Sequence, residues 1–249
     1  VKETAHFSGK SAAGLRRPDN QDRILIRKLA GGGALLAVAD GMGGAAAGGL
    51  AAEIAVQFLD NGLNGQSLQA DILAEALRAA GQEIASVSRA DASLDGMGTT
   101  LTVVAVDAGK ACWAHVGDSR LHHFGAGVLT QVSRDHRFLQ DLLDCGDVTP
   151  EELPRHPLRN VLDQCLGCPV MRPDSGSFAV NSGDLLLLTS DGVHDHVPRE
   201  RMIELLRSPL SPEDMANALI AEARQEGSTD DLSAVVCRIS ERTRPPEAS

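Results

Sequence analysis

The chain has 249 residues, 43% of them hydrophobic and 23% charged, and 34 Asp+Glu against 23 Lys+Arg leave a formal net charge of −11. That is apolar material enough for a sizeable core. The acidic balance excludes a general nucleic-acid binder, which needs a basic face to displace counterions, and it disfavours an anionic membrane surface.

In chain order, Val1–Arg17 lacks the uninterrupted apolar stretch of a secretory signal. No later run approaches the roughly 20 apolar residues of a membrane span, so a cytoplasmic protein is expected. Strand-length apolar runs come first at Ile24–Ile26 and Ala34–Ala39, with Gly31-Gly32-Gly33 as the turn between them. Two helices follow. Leu50, Ile54 and Phe58 recur every four residues in the first; Ile72, Leu73, Ala76, Leu77, Ala80 and Ile84 stripe the second. Leu101–Val106 and Cys112–Val116 return to strand pattern, and near-continuous apolar runs of this kind suit strands covered on both faces.

A helical insertion, Arg137 to Leu166, contains Thr149-Pro150-Glu151-Glu152, which reads as a helix start with a Thr cap and a Glu reaching back. Leu185–Thr189 is a strand, Ser211-Pro212-Glu213-Asp214 repeats the capping device, and Ala234–Ile239 is the final strand. Strands grouped apart from helices predict an α+β fold with antiparallel sheet, not regular β-α-β alternation. Residues 1–240 read as one domain and 241–249, polar and carrying Pro245-Pro246, as a loose tail. Of five cysteines only Cys165 and Cys168 form a C-x-x-C, and no second pair completes a thiolate zinc site, so reduced thiols are expected.

Carboxylates sit at strand ends. Asp40 follows Ala34–Ala39 and opens Asp40-Gly41-Met42-Gly43-Gly44; Asp118 follows Cys112–Gly117; Asp191 follows Leu185–Ser190; Asp230 precedes Leu232–Ile239; Asp22 begins the first strand. If those strands lie side by side, the carboxylates share a rim, where each takes up a proton unless a cation neutralises them. Hard oxygen donors without His or Cys at matching spacing suit Mg²⁺ or Mn²⁺. Two such ions about 4 Å apart share a water and lower its pKa towards neutrality, arming it against phosphorus. Arg17, just ahead of Asp22, offers a guanidinium fork for phosphate oxygens.

The ordered set Arg17-Pro18-Asp19-Asn20-Gln21-Asp22, Val38-Ala39-Asp40-Gly41-Met42-Gly43-Gly44, Gly98-Thr99-Thr100, His115-Val116-Gly117-Asp118-Ser119-Arg120, Asp135-His136, Thr189-Ser190-Asp191-Gly192 and Gly227-Ser228-Thr229-Asp230-Asp231 resembles the metal-dependent Ser/Thr protein phosphatases of the type 2C or PPM family, in its compact bacterial form. The resemblance implies a four-layer α-β-β-α sandwich, two antiparallel sheets each flanked by helices. It implies hydrolysis of phospho-Ser and phospho-Thr in proteins by direct attack of metal-bound hydroxide. Asp40 would bridge two central ions, Mn²⁺ or Mg²⁺, one completed by the Gly41 carbonyl; Asp191 and Asp230 would hold the other. Asp118, Asp191 and Asp195 would form a weaker third site. Asp22 would orient water and Arg17 would clamp the substrate phosphate. The partners implied are phosphoprotein substrates and a cognate bacterial Ser/Thr kinase, with no nucleic acid or membrane, and the chain is expected to be a monomer. The alternative is a non-catalytic phosphoprotein-binding module on the same fold.

Two positions depart from the family pattern. Met42 stands where many eukaryotic members carry a proton-donating His, and Asp231 where Asn is usual; the added charge would tighten metal binding or sit in solvent. Among the histidines, His115 is expected to be a hydrogen-bonded core residue, and His194 and His196 to lie on a polar surface. His122 and His123, adjacent in a strand, would face opposite sides. Asp135-His136 would fix the start of the insertion. The insertion corresponds to the family's flap, with Arg155 and Arg159 as candidate contacts to a phosphoprotein.

Overall fold

The computed structural model describes residues 3–15, 19–29, 32–43, 47–63, 68–149, 151–152 and 155–241. Strands β2 (Arg23–Lys28), β3 (Ala34–Ala39), β6 (Leu101–Asp107), β7 (Lys110–Val116) and β10 (Asp174–Ala179) form one antiparallel sheet in the order β10-β7-β6-β3-β2. Strands β1 (Glu3–Ala12), β8 (Arg120–Gly125), β9 (Val128–Gln131), β11 (Leu185–Thr189) and β12 (Leu232–Glu241) form the second, β1-β12-β11-β8-β9. A two-stranded ribbon pairs β4 (Gly41–Met42) with β5 (Gly98–Thr99).

The sheets face each other across Leu36, Val38, Val104, Leu186, Leu188 and Val235. Helices α1 (Ala47–Gly62) and α2 (Ala70–Ala90) cover the outside of the first sheet, through Ala51, Ala55, Leu73 and Leu77 against Leu35, Val103 and Ala114. The short α4 (Asp191–His194), α5 (Arg199–Arg207) and α6 (Pro212–Gln225) cover the second, through Val193, Met202, Leu205, Met215 and Leu219 against Leu187 and Val236. This is the α-β-β-α order expected. The runs read as doubly covered strands are so: every residue of β3 and β11 is buried.

Several local readings are corrected. The buried face of α1 is Ala47, Gly48, Ala51, Ala52, Ala55 and Leu59, whereas Leu50 is exposed, because small residues let the helix lie close on the sheet and the larger stripe turns to its flank. Strand β1, paired with β12 along its whole length, carries Ser8, Gly9, Lys10 and Ser11 and shows little apolar periodicity. It is an edge strand, and a Cβ at Gly9 would meet Val235 and Ile26 side chains at 2.8 and 2.9 Å. In the insertion, helix α3 (Gln140–Cys145) forms, but Thr149 does not start a helix: its amide and hydroxyl donate to Glu152 Oε2 at 3.0 and 3.1 Å within a turn. Ser211 does cap α6, its hydroxyl accepting from the Asp214 amide at 3.1 Å.

Cys165 and Cys168 are joined by a disulfide instead of standing reduced, which removes the thiol argument for a reducing compartment. Glu241 closes β12, and the remainder of the expected tail, like Gly31 of the glycine turn, lies outside the described residues. No described helix is long and apolar enough to cross a membrane.

Candidate active site

Asp22 sits immediately ahead of β2, Asp40 follows β3, Asp118 lies between β7 and β8, Asp191 opens α4 behind β11, and Asp230 lies just ahead of β12. Two close backbone approaches draw these turns together. A Cβ at Gly192 would fall 2.1 Å from the Asp231 carbonyl oxygen, so the Asp191 and Asp230 segments touch. A Cβ at Gly41 would fall 2.2 Å from the Gly48 carbonyl oxygen and 2.8 Å from that of Gln21, which presses the Asp40 turn against α1 and the segment leading to Asp22.

Each acidic turn is pinned by hydrogen bonds. The Asp40 amide donates to Thr100 Oγ1 at 3.0 Å, and the Asp40 carbonyl accepts from Thr99 Oγ1 and the Thr100 amide, both at 2.9 Å. Thr100 Oγ1 is in turn 2.7 Å from Ser119 Oγ. Asp22, 1% exposed, accepts through Oδ2 from Ser190 Oγ at 2.8 Å, and Ser190 Oγ accepts from the Ser233 amide at 2.9 Å.

The electrostatics report the crowding. Burial, followed by repulsion from Asp22, Asp191, Asp118 and Asp230, pushes Asp40 well above the carboxylate range. Burial and then Asp118, Asp195 and Asp230 do the same to Asp191. Asp22 is raised to about 7, mainly by burial and further by repulsion from Asp231 and Asp230, against the lowering effect of the nearby Ser233 and Ser190 hydroxyls. Asp22 Oδ1 and Asp191 Oδ1 are buried with no hydrogen-bond partner. Buried carboxylate oxygens without a donor are costly. Among the described residues no three His, Cys, Asp or Glu side chains make a ready-closed metal cage. The fit is chemical instead: unpartnered hard oxygens, mutually repelling on one rim, suit a divalent cation such as Mg²⁺ or Mn²⁺.

The expected third site is different. Arg137 donates through Nε to Asp118 Oδ2 at 2.8 Å and through Nη2 to Asp195 Oδ2 at 2.9 Å, so both carboxylates already hold a cation. Arg137 also lines a cavity of about 270 Å³ with Arg159, Asn160, Asp191, Asp195 and Asp230. Arg159 lines the same cavity as Asp191 and Asp230; Arg155 does not line it.

Asp231 does not sit in solvent, and its charge adds to the repulsion on Asp22. It is 4% exposed, and its Oδ1 and Oδ2 accept from the Gly14 and Gln21 amides, each at 2.8 Å. Arg17, within the segment those bonds bracket, lies outside the described residues. Sequence reasoning missed the work of Asp231, Arg137 and Ser190. The one signal for Arg137 was an arginine directly after Asp135-His136, amid acidic motifs.

The Asp135-His136 pair does anchor the insertion. Asp135 accepts a forked pair from Arg120, Nε to Oδ1 at 3.0 Å and Nη2 to Oδ2 at 2.7 Å, and the His136 amide donates to the Gly117 carbonyl at 2.7 Å. His115 is fully buried between Thr102 Oγ1 at 2.8 Å and the Arg134 carbonyl at 3.0 Å, as expected. His194 is not on a polar surface: it is buried, with Nδ1 2.8 Å from Thr189 Oγ1. His196 is half-buried beside the cavity.

The family model described as "Protein phosphatase 2C" matches residues 15–227. The serine/threonine protein phosphatase PstP of Mycobacterium tuberculosis is 36% identical over 236 residues, which cover 94% of this chain but 45% of that protein, so the chain spans about half the length of that relative. The protein phosphatase PhpP of Streptococcus pneumoniae is 32% identical over 234 residues, covering 92% of this chain and 95% of PhpP. Among solved structures, the PstP catalytic domain in complex with two manganese ions superimposes with a TM-score of 0.86 at 32% identity, covering 96% of this chain and all of that one.

Proposed function

The chain belongs to the protein phosphatase 2C family, and from that premise we propose that it is a metal-dependent phosphatase that hydrolyses phosphoserine and phosphothreonine esters in proteins. The observation that carries this reading is the convergence of Asp22, Asp40, Asp191 and Asp230 on one rim, with unpartnered oxygens on Asp22 and Asp191. Asp40, Asp191 and Asp230 would hold two Mn²⁺ or Mg²⁺ ions, with the Gly41 carbonyl as a further donor. When bound, the ions supply Lewis acidity, depressing the pKa of water and offsetting phosphate charge.

The chain's own groups do the rest. Thr99 and Thr100 fix the Asp40 backbone so that its carboxylate holds one direction. Ser190 occupies Asp22 Oδ2 and leaves Oδ1 to accept a hydrogen bond from the attacking water. Arg17 would grip the phosphate oxygens; Asp231 ties down Gly14 and Gln21, on either side of it in the sequence. Met42 has no proton to give, so the departing alkoxide would take its proton from solvent. Arg159, which lines the same cavity as Asp191, would meet the phosphoprotein.

Residues 1–240 would make up the catalytic domain, acting as a monomer in the cytoplasm against a cognate Ser/Thr kinase. The test is hydrolysis of a phosphothreonine peptide with Mn²⁺, with EDTA, and with Asp40→Asn. Turnover that survives EDTA overturns the reading, and metal-dependent peptide binding without turnover favours a binding module instead.

A further inference from the structure

Arg137 is the one cation of the described rim that is nearly sealed from water, at 6% exposure. Its guanidinium is engaged on two sides. Nε meets Asp118 Oδ2 at 2.8 Å, while Nη2 and Nη1 meet Asp195 Oδ2 and Oδ1 at 2.9 and 3.3 Å; Asp135 Oδ2 stands 3.9 Å from Nε. A planar fork bonded to two carboxylates has the geometry in which arginine is hardest to displace. Breaking it would leave Asp118, itself 4% exposed, as an uncompensated buried charge.

The position of Arg137 in the chain is equally constrained. It pairs with Leu162 in an isolated antiparallel bridge, flanked by Phe138 N–H donating to the Val161 carbonyl at 2.8 Å and Asp163 N–H donating to the His136 carbonyl at 3.0 Å. These bonds close the neck of the insertion. The backbone that carries Arg137 is therefore fixed beside Asp118 and Asp195.

We propose that Arg137 is a resident cation at Asp118 and Asp195, filling with a guanidinium the place where the family resemblance implies a third metal ion, so that this chain is a two-metal protein. The proposal rests on the metal-dependent reading above. The consequence is a rim charge that does not vary with the supply of divalent ions, and a flap neck joined to the rim by a resident ion pair instead of an exchangeable ion.

The experiment counts Mn²⁺ bound per chain by equilibrium dialysis over a wide concentration range, for the wild type, Arg137→Gln and Arg137→Lys. Two ions are expected for the wild type with no weaker third phase, a third weak ion for Arg137→Gln, and two again for Arg137→Lys, whose ammonium keeps the charge. Three ions on the wild type, or two on an Arg137→Gln protein with native circular dichroism, overturn the proposal while leaving the phosphatase reading intact. No bound ion on the wild type removes both. Should Arg137→Gln fail to fold, a crystal of the wild type grown in high Mn²⁺ decides: an ion between Asp118 and Asp195 with Arg137 swung away refutes the assignment.

Discussion

Asp231 Oδ2 accepts the Gln21 amide at 2.8 Å across 210 positions of sequence, and its other oxygen accepts the Gly14 amide at the same distance. One buried carboxylate thereby closes a loop on itself, gripping both ends of the segment that carries Arg17. Asn at this position has one acceptor oxygen and turns its NH₂ towards the second N–H, leaving a buried donor unmet at a cost of about 1–3 kcal/mol. Asp231→Asn is expected to loosen the loop and raise KM for a phosphothreonine peptide by about 10-fold, equivalent to about 1.4 kcal/mol, with kcat changed much less. Steady-state kinetics on the folded variant check this; an equal fall in kcat and kcat/KM would place Asp231 in the chemistry instead.

Asp191 predicts opposite signs for stability and function. Its carboxyl is raised by burial and by Asp118, Asp195 and Asp230, so ionised Asp191 strains the metal-free protein near neutral pH. Asp191→Asn is expected to raise the metal-free melting temperature while abolishing turnover and most of the stabilisation by Mn²⁺. For the wild type, Mn²⁺ at 100 times its Kd stabilises by about 2.7 kcal/mol. Thermal unfolding in EDTA and in Mn²⁺, for both proteins, reads all three effects. A variant less stable than wild type in EDTA would show that repulsion is not what burdens the rim.

Much of this was legible before any coordinates. Runs such as Ala34–Ala39 and Leu185–Thr189 announce strands because both faces are buried, and the acidic residues stand out because they end those runs. Strand β1 was not legible: at a sheet edge, Gly9 serves close approach instead of apolar burial and polar residues surround it, so the periodic signal disappears. The α1 face was misread because alanines, not Leu50, make the contact. At the site, each carboxylate could be placed but not its partner. Whether Asp118 meets an ion or Arg137, and whether Asp231 faces solvent or the Gly14 amide, is decided by segments brought together from far apart.

Gly48 sets two magnitudes against each other. It lies in α1, where Ala is ordinarily favoured over Gly by about 1 kcal/mol. A Cβ there would come within 2.7 Å of the Gly41 carbonyl carbon and the Met42 amide nitrogen, atoms of the backbone that cannot rotate aside. Overpacking of this kind costs about 1–3 kcal/mol, so the steric term wins. Gly48→Ala is expected to destabilise the protein and, by shifting the turn after Asp40, to weaken Mn²⁺ binding. Denaturant unfolding and Mn²⁺ titration check the two parts, and a stabilised variant with native metal affinity would contradict the close approach.

His115 supplies the pH test. Burial, reinforced by His136, lowers its pKa to about 4, against 6.5 for the free side chain, and outweighs the opposing pull of Asp135, Asp174 and the Arg134 carbonyl. Between those values the unfolded chain binds the proton that the folded one refuses, so stability rises with pH; the contribution is fully present above about 6.5 and is lost as pH falls towards 4. The acidic rim has the opposite slope, since carboxyls raised on folding lose stability as pH rises, and the wild type alone would show a mixture. Comparing wild type with His115→Gln, both in EDTA, cancels the rim. The advantage of the wild type is expected to shrink by up to about 3 kcal/mol from pH 6.5 to 4. A difference that stays constant across that interval would mean that folding does not lower the pKa of His115.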